Sequence, residues 1–120
     1  MRNFKDIKAW QKAHSLALKT YEVTAGFPKA EMFGLTTQMR RSAASIGANI
    51  AEGCGRKSKN ELGRFMLIAM GSASELEYHL LLAHDLGLLM QEDYLGLESQ
   101  VTEVKRMLTA YIQSLRSGPD

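Results

Sequence analysis

Residues 61–86 read ELGRFMLIAMGSASELEYHLLLAHDL. Leu62, Phe65, Met66, Ala69, Ala73, Leu76, Leu80 and Ala83 recur there at three- and four-residue spacing, which places them on one stripe of a helix. Leu67, Met70, Tyr78, Leu81 and Leu82 lie off that stripe. A helix that is apolar on more than one side must be buried on more than one side. Three sibling helices in a chain of 120 residues cover one face of each helix. The surplus therefore predicts a subunit interface at Leu67, Met70, Tyr78, Leu81 and Leu82. The competing reading is a central helix inside a monomer.

Immediately upstream, Ser58-Lys59-Asn60-Glu61 has the spacing of a capping box, with Ser58 as N-cap. Before it runs Gly53-Cys54-Gly55-Arg56-Lys57, in which Gly53 is expected to close the preceding helix in the left-handed conformation. The turn lacks the glycine spacing of a P-loop or a dinucleotide fingerprint, so a tight helical hairpin is the expected use. Arg56, Lys57 and Lys59 still put three cations on its tip.

The preceding helix starts between Glu31 and Leu35, after a turn around Pro28-Lys29, and shows three stripes. Leu35, Met39, Ala43, Ile46 and Ile50 are apolar. Arg40, Ala44, Gly47 and Ala51 form a small-residue stripe that suits close helix approach. Gln38, Ser42, Ser45, Asn49 and Glu52 form a polar seam, which with Ser72, Ser74 and Glu75 suggests a hydrogen-bonded network. Arg40 and Arg41 lie 100° apart on a helix and cannot both face one partner surface.

The first helix is expected at about 6–24, with Trp10, Ala13, His14, Ala17, Tyr21 and Thr24 on its inner face and Gly26 and Pro28 ending it. Lys5, Lys8, Lys12 and Lys19 point away from that face, either as solvated lysines or as a phosphate-tracking strip. Gly87 ends the third helix. In the fourth, Leu97, Val101, Val104, Leu108, Tyr111 and Leu115 keep a four-three repeat. The tail Ser117-Gly118-Pro119-Asp120 is expected to fray. The expectation is one all-α domain over residues 1–120, with helices at about 6–24, 33–53, 59–87 and 92–116.

A single cysteine, Cys54, excludes an internal disulfide and suits a reducing compartment. The N-terminus lacks the apolar run of a signal peptide, and Glu75, Glu77, His79 and Asp85 interrupt the best candidate membrane span. A cytoplasmic protein is expected. The net charge of +2 hides an asymmetry. Residues 1–60 hold eleven Lys or Arg against four Asp or Glu, a balance of +7, and residues 61–120 hold four against nine, a balance of −5. This suggests a basic face for an anionic partner, basic-to-acidic contact between subunits, or ordinary solvated surface.

Enzymatic chemistry finds little support. A di-iron carboxylate bundle needs Glu-x-x-His pairs, and no Glu here has a His three residues later. Glu75 and His79 stand one turn apart, a spacing more typical of a hydrogen bond than of a metal site. His14, His79 and His84 do not form a zinc set with Cys54. Arg56 and Lys57 beside Cys54 are expected to lower its pKa, but no local His or Asp pattern makes it a nucleophile. No catalytic residue, metal or cofactor is expected.

Several runs carry a family resemblance: Ala9-Trp10-Gln11-Lys12-Ala13, Phe27-Pro28, Phe33 to Ala43, Ser45 to Gly53, Gly55-Arg56, and Ile68 to Glu77. On these the chain resembles the 23S rRNA-intervening-sequence proteins over nearly its whole length. The departure is Gly47, where many relatives carry proline. The resemblance implies an antiparallel up-and-down four-helix bundle that assembles as a ring-shaped homopentamer. Some members are encoded within 23S rRNA genes, and the related accessory variability determinant of diversity-generating retroelements binds nucleic acid and a reverse transcriptase. By that likeness, Lys5, Lys8, Lys12, Lys19, Arg40, Arg41, Arg56, Lys57 and Lys59 are the expected contacts to RNA or DNA. The alternative is a protein-interaction scaffold that recruits a partner protein and has no nucleic-acid role.

Overall fold

Four α-helices and the turns between them make up residues 2–116, the part of the chain that the computed structural model describes. A 3-10 turn at Phe4–Asp6 precedes α1 (Lys8–Thr24). A second 3-10 turn (Lys29–Glu31) and a π-helical turn (Met32–Thr36) lead into α2 (Thr37–Cys54), followed by α3 (Lys59–Asp85) and α4 (Gln91–Arg116). The described residues contain no strand. None of these helices is long and apolar enough to cross a membrane. The tail expected to fray, Ser117–Asp120, lies outside the described residues.

Local chemistry sets the helix ends. The Glu61 amide donates to Ser58 Oγ at 3.1 Å, so Ser58 is the N-cap of α3. At the other end Gly87 adopts φ 77°, its amide donates to His84 O at 3.0 Å, and the Leu88 amide donates to Ala83 O at 2.9 Å. That double bond pattern is a Schellman stop, and its left-handed residue favours glycine. The Arg2 amide donates to Cys54 O at 3.2 Å, which satisfies a carbonyl that the end of α2 leaves open.

The helices neighbour one another as α1–α2, α2–α3, α3–α4 and α4–α1, with α2–α3 the most extensive contact. They form a four-helix bundle measuring 49 × 22 × 19 Å, elongated enough to have two distinct ends. The core takes Leu35, Met39, Ala43, Ile46 and Ile50 from the α2 segment and all eight stripe residues of α3. From α4 it takes Leu97, Val101, Val104, Leu108 and Ile112. Tyr111 and Leu115 are only partly buried, because a straight helix drifts about 20° per heptad against a strict seven-residue repeat. Lys105 Nζ meets Glu77 Oε1 at 2.8 Å across α3 and α4.

Four local expectations need correction. The buried stripe of α1 is Ala9, Ala13, Leu16, Thr20 and Thr24, rotated from the expected one. The threonines tolerate burial because Thr20 Oγ1 donates to Leu16 O and Thr24 Oγ1 to Thr20 O, both at 2.8 Å. Trp10 and Ala17 instead flank the core, with His14 and Tyr21 exposed. Gly53 is not left-handed: α2 continues through it to Cys54. A Cβ there would lie 2.9 Å from Phe65 Cβ and 3.1 Å from Leu62 Cδ1, so glycine is needed for the close approach of α3. The polar seam is shorter than expected. Ser45 Oγ meets Ser72 Oγ at 2.8 Å and accepts from Asn49 Nδ2 at 3.0 Å, but Ser42 bonds its own helix and Ser74 and Glu75 face outward. Finally, regular α2 begins at Thr37 rather than near residue 33, because Gly34 adopts φ −117° and ψ −111°, outside the helical region.

Candidate functional site

Some of the expected nucleic-acid contacts come together at one end of the bundle and others do not. The α2–α3 turn carries Arg56, Lys57 and Lys59. The bond from Arg2 to Cys54 brings the start of the chain to the same turn. Lys59 and Arg64 line one groove together with Arg116 from the last turn of α4, and Lys8 shares a hollow with Met107 and Tyr111 of α4. Lys5 is exposed just before α1. Arg2, Arg64 and Arg116 thus join the cations singled out from the sequence. Their signal was faint, since Arg64 and Arg116 lie in the acidic half of the chain and converge on the turn only through folding.

Several of the candidates, at the turn and elsewhere, have partners within the protomer, and Arg41 lies apart from the turn. Lys12 pairs with Glu103 at 3.4 Å, and Lys19 with Glu22 at 3.7 Å. Arg40 Nε donates to Thr24 Oγ1 at 2.9 Å, and its guanidinium lies 4.8 Å from the centre of the Tyr21 ring, so it ties α2 to α1. Arg41 is exposed at the start of α2, away from the turn. Arg56 pairs with Glu52 at 3.6 Å while lying 4.9 Å over the Phe65 ring, and Arg64 lies 5.0 Å over the same ring. Two guanidiniums are thereby held on Phe65.

The expected interface residues on α3 divide similarly. Leu67, Tyr78 and Leu81 are exposed, and Ile68 joins them, whereas Met70 and Leu82 pack against the core. Between the exposed residues sits Gly71, where a Cβ would meet nothing within 4 Å. Glycine inside a helix costs about 1 kcal/mol against alanine. No contact within the protomer requires glycine at 71. On the other side of the molecule, α1 and α2 frame a groove of about 310 Å³. Its lining includes Ala13, Ala17, Ala44, Gly47, Ala48 and Ala51. Trp10 bounds it, with Nε1 3.3 Å from where a Gly47 Cβ would stand, so Gly47 admits the indole.

Cys54 is not the activated thiol that its sequence neighbours suggest. It is buried in the core at the last turn of α2, and burial raises its pKa against the opposing charge of Arg2. The Glu75–His79 pair is 4.0 Å apart. No group of three potential metal-ligating His, Cys, Asp or Glu side chains occurs among the described residues.

This arrangement defines an all-α, four-helix bundle with a basic end and an uncovered apolar face. The pattern of the family described as 23S rRNA-intervening sequence protein matches residues 5–110, and the chain belongs to that family. It is also similar to a crystal structure of a protein with unknown function from the S23 ribosomal protein family of Bacteroides thetaiotaomicron. The two superpose with a TM-score of 0.79 at 27% sequence identity, over 88% of this chain and 98% of that one. No curated protein matches the chain.

Proposed function

We infer that the chain is a non-enzymatic subunit of a cytoplasmic, ring-shaped homo-oligomer, most simply a pentamer, that binds RNA or DNA through its basic end. The observation that carries the assembly is the outer face of α3: Leu67, Ile68, Tyr78 and Leu81 stand exposed around a glycine that the protomer does not need. The groove between α1 and α2 offers a concave, small-residue complement to that bulky ridge. Ridge and groove are different surfaces, so their contact is heterologous and propagates from subunit to subunit, closing into a ring where the rotation per step closes, rather than stopping at a two-fold dimer. In the antiparallel up-and-down bundle of this reading, the opposite run of α1 and α2 is supported by their pairings: Trp10 reaches Gly47 while Thr24 reaches Arg40.

Such a ring would repeat the basic end in every subunit, multiplying a weak single-site attraction. Cations act on phosphates through counterion release and carry no base code, so the reading is binding with little sequence preference. The test is a salt-titrated oligonucleotide assay on the wild type and on a variant carrying Arg56→Glu and Lys57→Glu. Binding that weakens with salt in the wild type and drops in the variant, with the assembly intact, supports the reading. Binding that is absent at low salt or indifferent to salt overturns it. Loss of the oligomer in the variant would instead favour a subunit-contact role for these charges.

A further inference from the structure

The start of α2 is out of step with the sequence that forms it. Met32 stands seven residues before Met39 and falls on the same stripe of a regular helix, yet Met39 is buried and Met32 is half exposed. Beside it Phe33 is 96% exposed, the most exposed large apolar side chain among the described residues. The cause is the π turn Met32–Thr36, which holds an extra residue and so rotates what precedes it away from the stripe. The turn also misdirects a hydrogen bond. Thr20, Thr24 and Thr109 each donate their hydroxyl to the carbonyl four residues back. For Thr36 that carbonyl is Met32 O, and Thr37 Oγ1 donates to it from five residues away. Thr36, 2% exposed, is left with its Oγ1 buried and without a partner. A buried hydroxyl with no partner is costly, and so is an apolar ring left in water. Regular winding would return Met32 O to Thr36 and Met32 to the core stripe. Phe33 would then share a helix face with Arg40 and Ala44, seven and eleven residues on, the face that borders the α1–α2 groove beside Tyr21. Residues 25–31 hold no buried side chain, so the connection can take up the shift.

We propose that Met32–Thr36 is a two-state latch. In the state described above, the π turn holds Phe33 out in solvent and leaves the α1–α2 groove open. In the second state the turn gives up its extra residue, α2 winds regularly back through Met32, and the Phe33 ring lies over the end of the groove. Each state has its own hydroxyl on Met32 O: Thr37 in the open one, Thr36 in the wound one. The two neighbouring threonines therefore pull in opposite directions. Gly34 is the pivot. It is the residue of the turn that lies outside the helical region, and a Cβ there would only touch Glu31 Oε1 at 3.5 Å. Its backbone freedom keeps the open state accessible, whereas alanine favours the wound one. Closing the groove affects assembly only under the subunit reading given above; the latch itself does not depend on it.

The test is fluorine NMR on the full chain labelled with 4-fluorophenylalanine, the Phe33 resonance being assigned by its loss in Phe33→Leu. The solvent isotope shift between water and heavy water reads the exposure of that ring, and circular dichroism checks that each variant is folded. Wild type is expected to show a largely exposed ring. Gly34→Ala is expected to move the population about fivefold towards the covered state, the size of the helix preference of alanine over glycine. Thr37→Val is expected to move it the same way, and adding Thr36→Val to Gly34→Ala to move it back. An isotope shift at Phe33 that is unchanged in both Gly34→Ala and Thr37→Val would overturn the proposal. So would a covered ring in Gly34→Ala that Thr36→Val fails to release. Light scattering of the same samples separates the latch from its consequence. If the fluorine changes appear while wild type is a single chain, the latch stands and the subunit reading fails. If Gly34→Ala covers the ring of an assembled protein and leaves its full mass intact, Phe33 does not close the groove and the proposal fails.

Discussion

The inner and outer faces of α3 use the same amino acids for opposite ends. On the inner face, Leu62, Phe65, Met66, Leu76 and Leu80 are buried, and α2 closes against them so tightly that Gly53 has no room for a methyl group. On the outer face, Leu67, Ile68, Tyr78 and Leu81 are exposed, and Gly71 has open space where a methyl group would go. A glycine in a helix needs a reason, because alanine there is more favourable. At Gly53 the reason is inside the protomer; at Gly71, as at Gly96 of α4, no contact within the protomer supplies one. The proposed assembly would supply one at Gly71, where exposed Leu67, Tyr78 and Leu81 share its face.

The largest expected contrast is between the two faces directly. Leu76→Ala leaves a core cavity and should destabilise the protein by about 2–5 kcal/mol in urea unfolding. Tyr78→Ala should shift the unfolding of the dissociated protomer by under about 0.5 kcal/mol, as for most surface positions, while lowering the mass of the assembly. Next comes overpacking: Gly53→Ala forces its methyl group against Phe65 and should cost about 1–3 kcal/mol, read as a lower urea midpoint. Gly71→Ala should do the reverse and stabilise the dissociated protomer by up to about 1 kcal/mol, a result that would be lost if an unseen contact within the protomer constrained it.

The smallest effect concerns Cys54. Burial raises its pKa above the ordinary thiol value of 9.0, so the neutral form favours the folded state. The stabilisation is fully present below the unfolded thiol pKa and is lost as pH rises through the folded value. Wild type should therefore lose stability relative to Cys54→Ala as pH rises past the unfolded thiol pKa of about 8.5, and native Cys54 should react slowly with thiol reagents at neutral pH. Rapid labelling of the folded protein would contradict its burial.

The helices differ in how plainly their sequences show the buried face. The stripe of α3 was fully legible because its three-four repeat runs without interruption from Leu62 to Ala83. That of α1 was not. Aromatic Trp10 and Tyr21 drew the stripe towards the α1–α2 edge, whereas the core accepted Thr20 and Thr24, whose hydroxyls find partners on their own helix. Cys54 was misjudged for a related reason. Arg56 and Lys57 are near it in sequence, but the last turn of α2 buries the thiol, while in the turn beyond it Lys57 is exposed and Arg56 lies over Phe65. The basic end was half legible: Arg56, Lys57 and Lys59 announced it, while Arg64 and Arg116 reach it only through packing of α3 beside α4. On α1, Lys12 and Lys19 also form exposed ion pairs with Glu103 of α4 and Glu22 of α1, which the sequence spacing shows only for the second.

The most direct test is the mass of the protein in solution, by light scattering at micromolar concentration and moderate salt, for the wild type and for Gly71→Trp. One chain weighs 13.4 kDa. The account predicts a multiple of that mass for the wild type, fivefold for a pentamer, and a folded single chain for the variant, whose indole occupies the space reserved for a neighbour. A wild type that runs as a single chain, or a Gly71→Trp variant that keeps the full assembly, would contradict it.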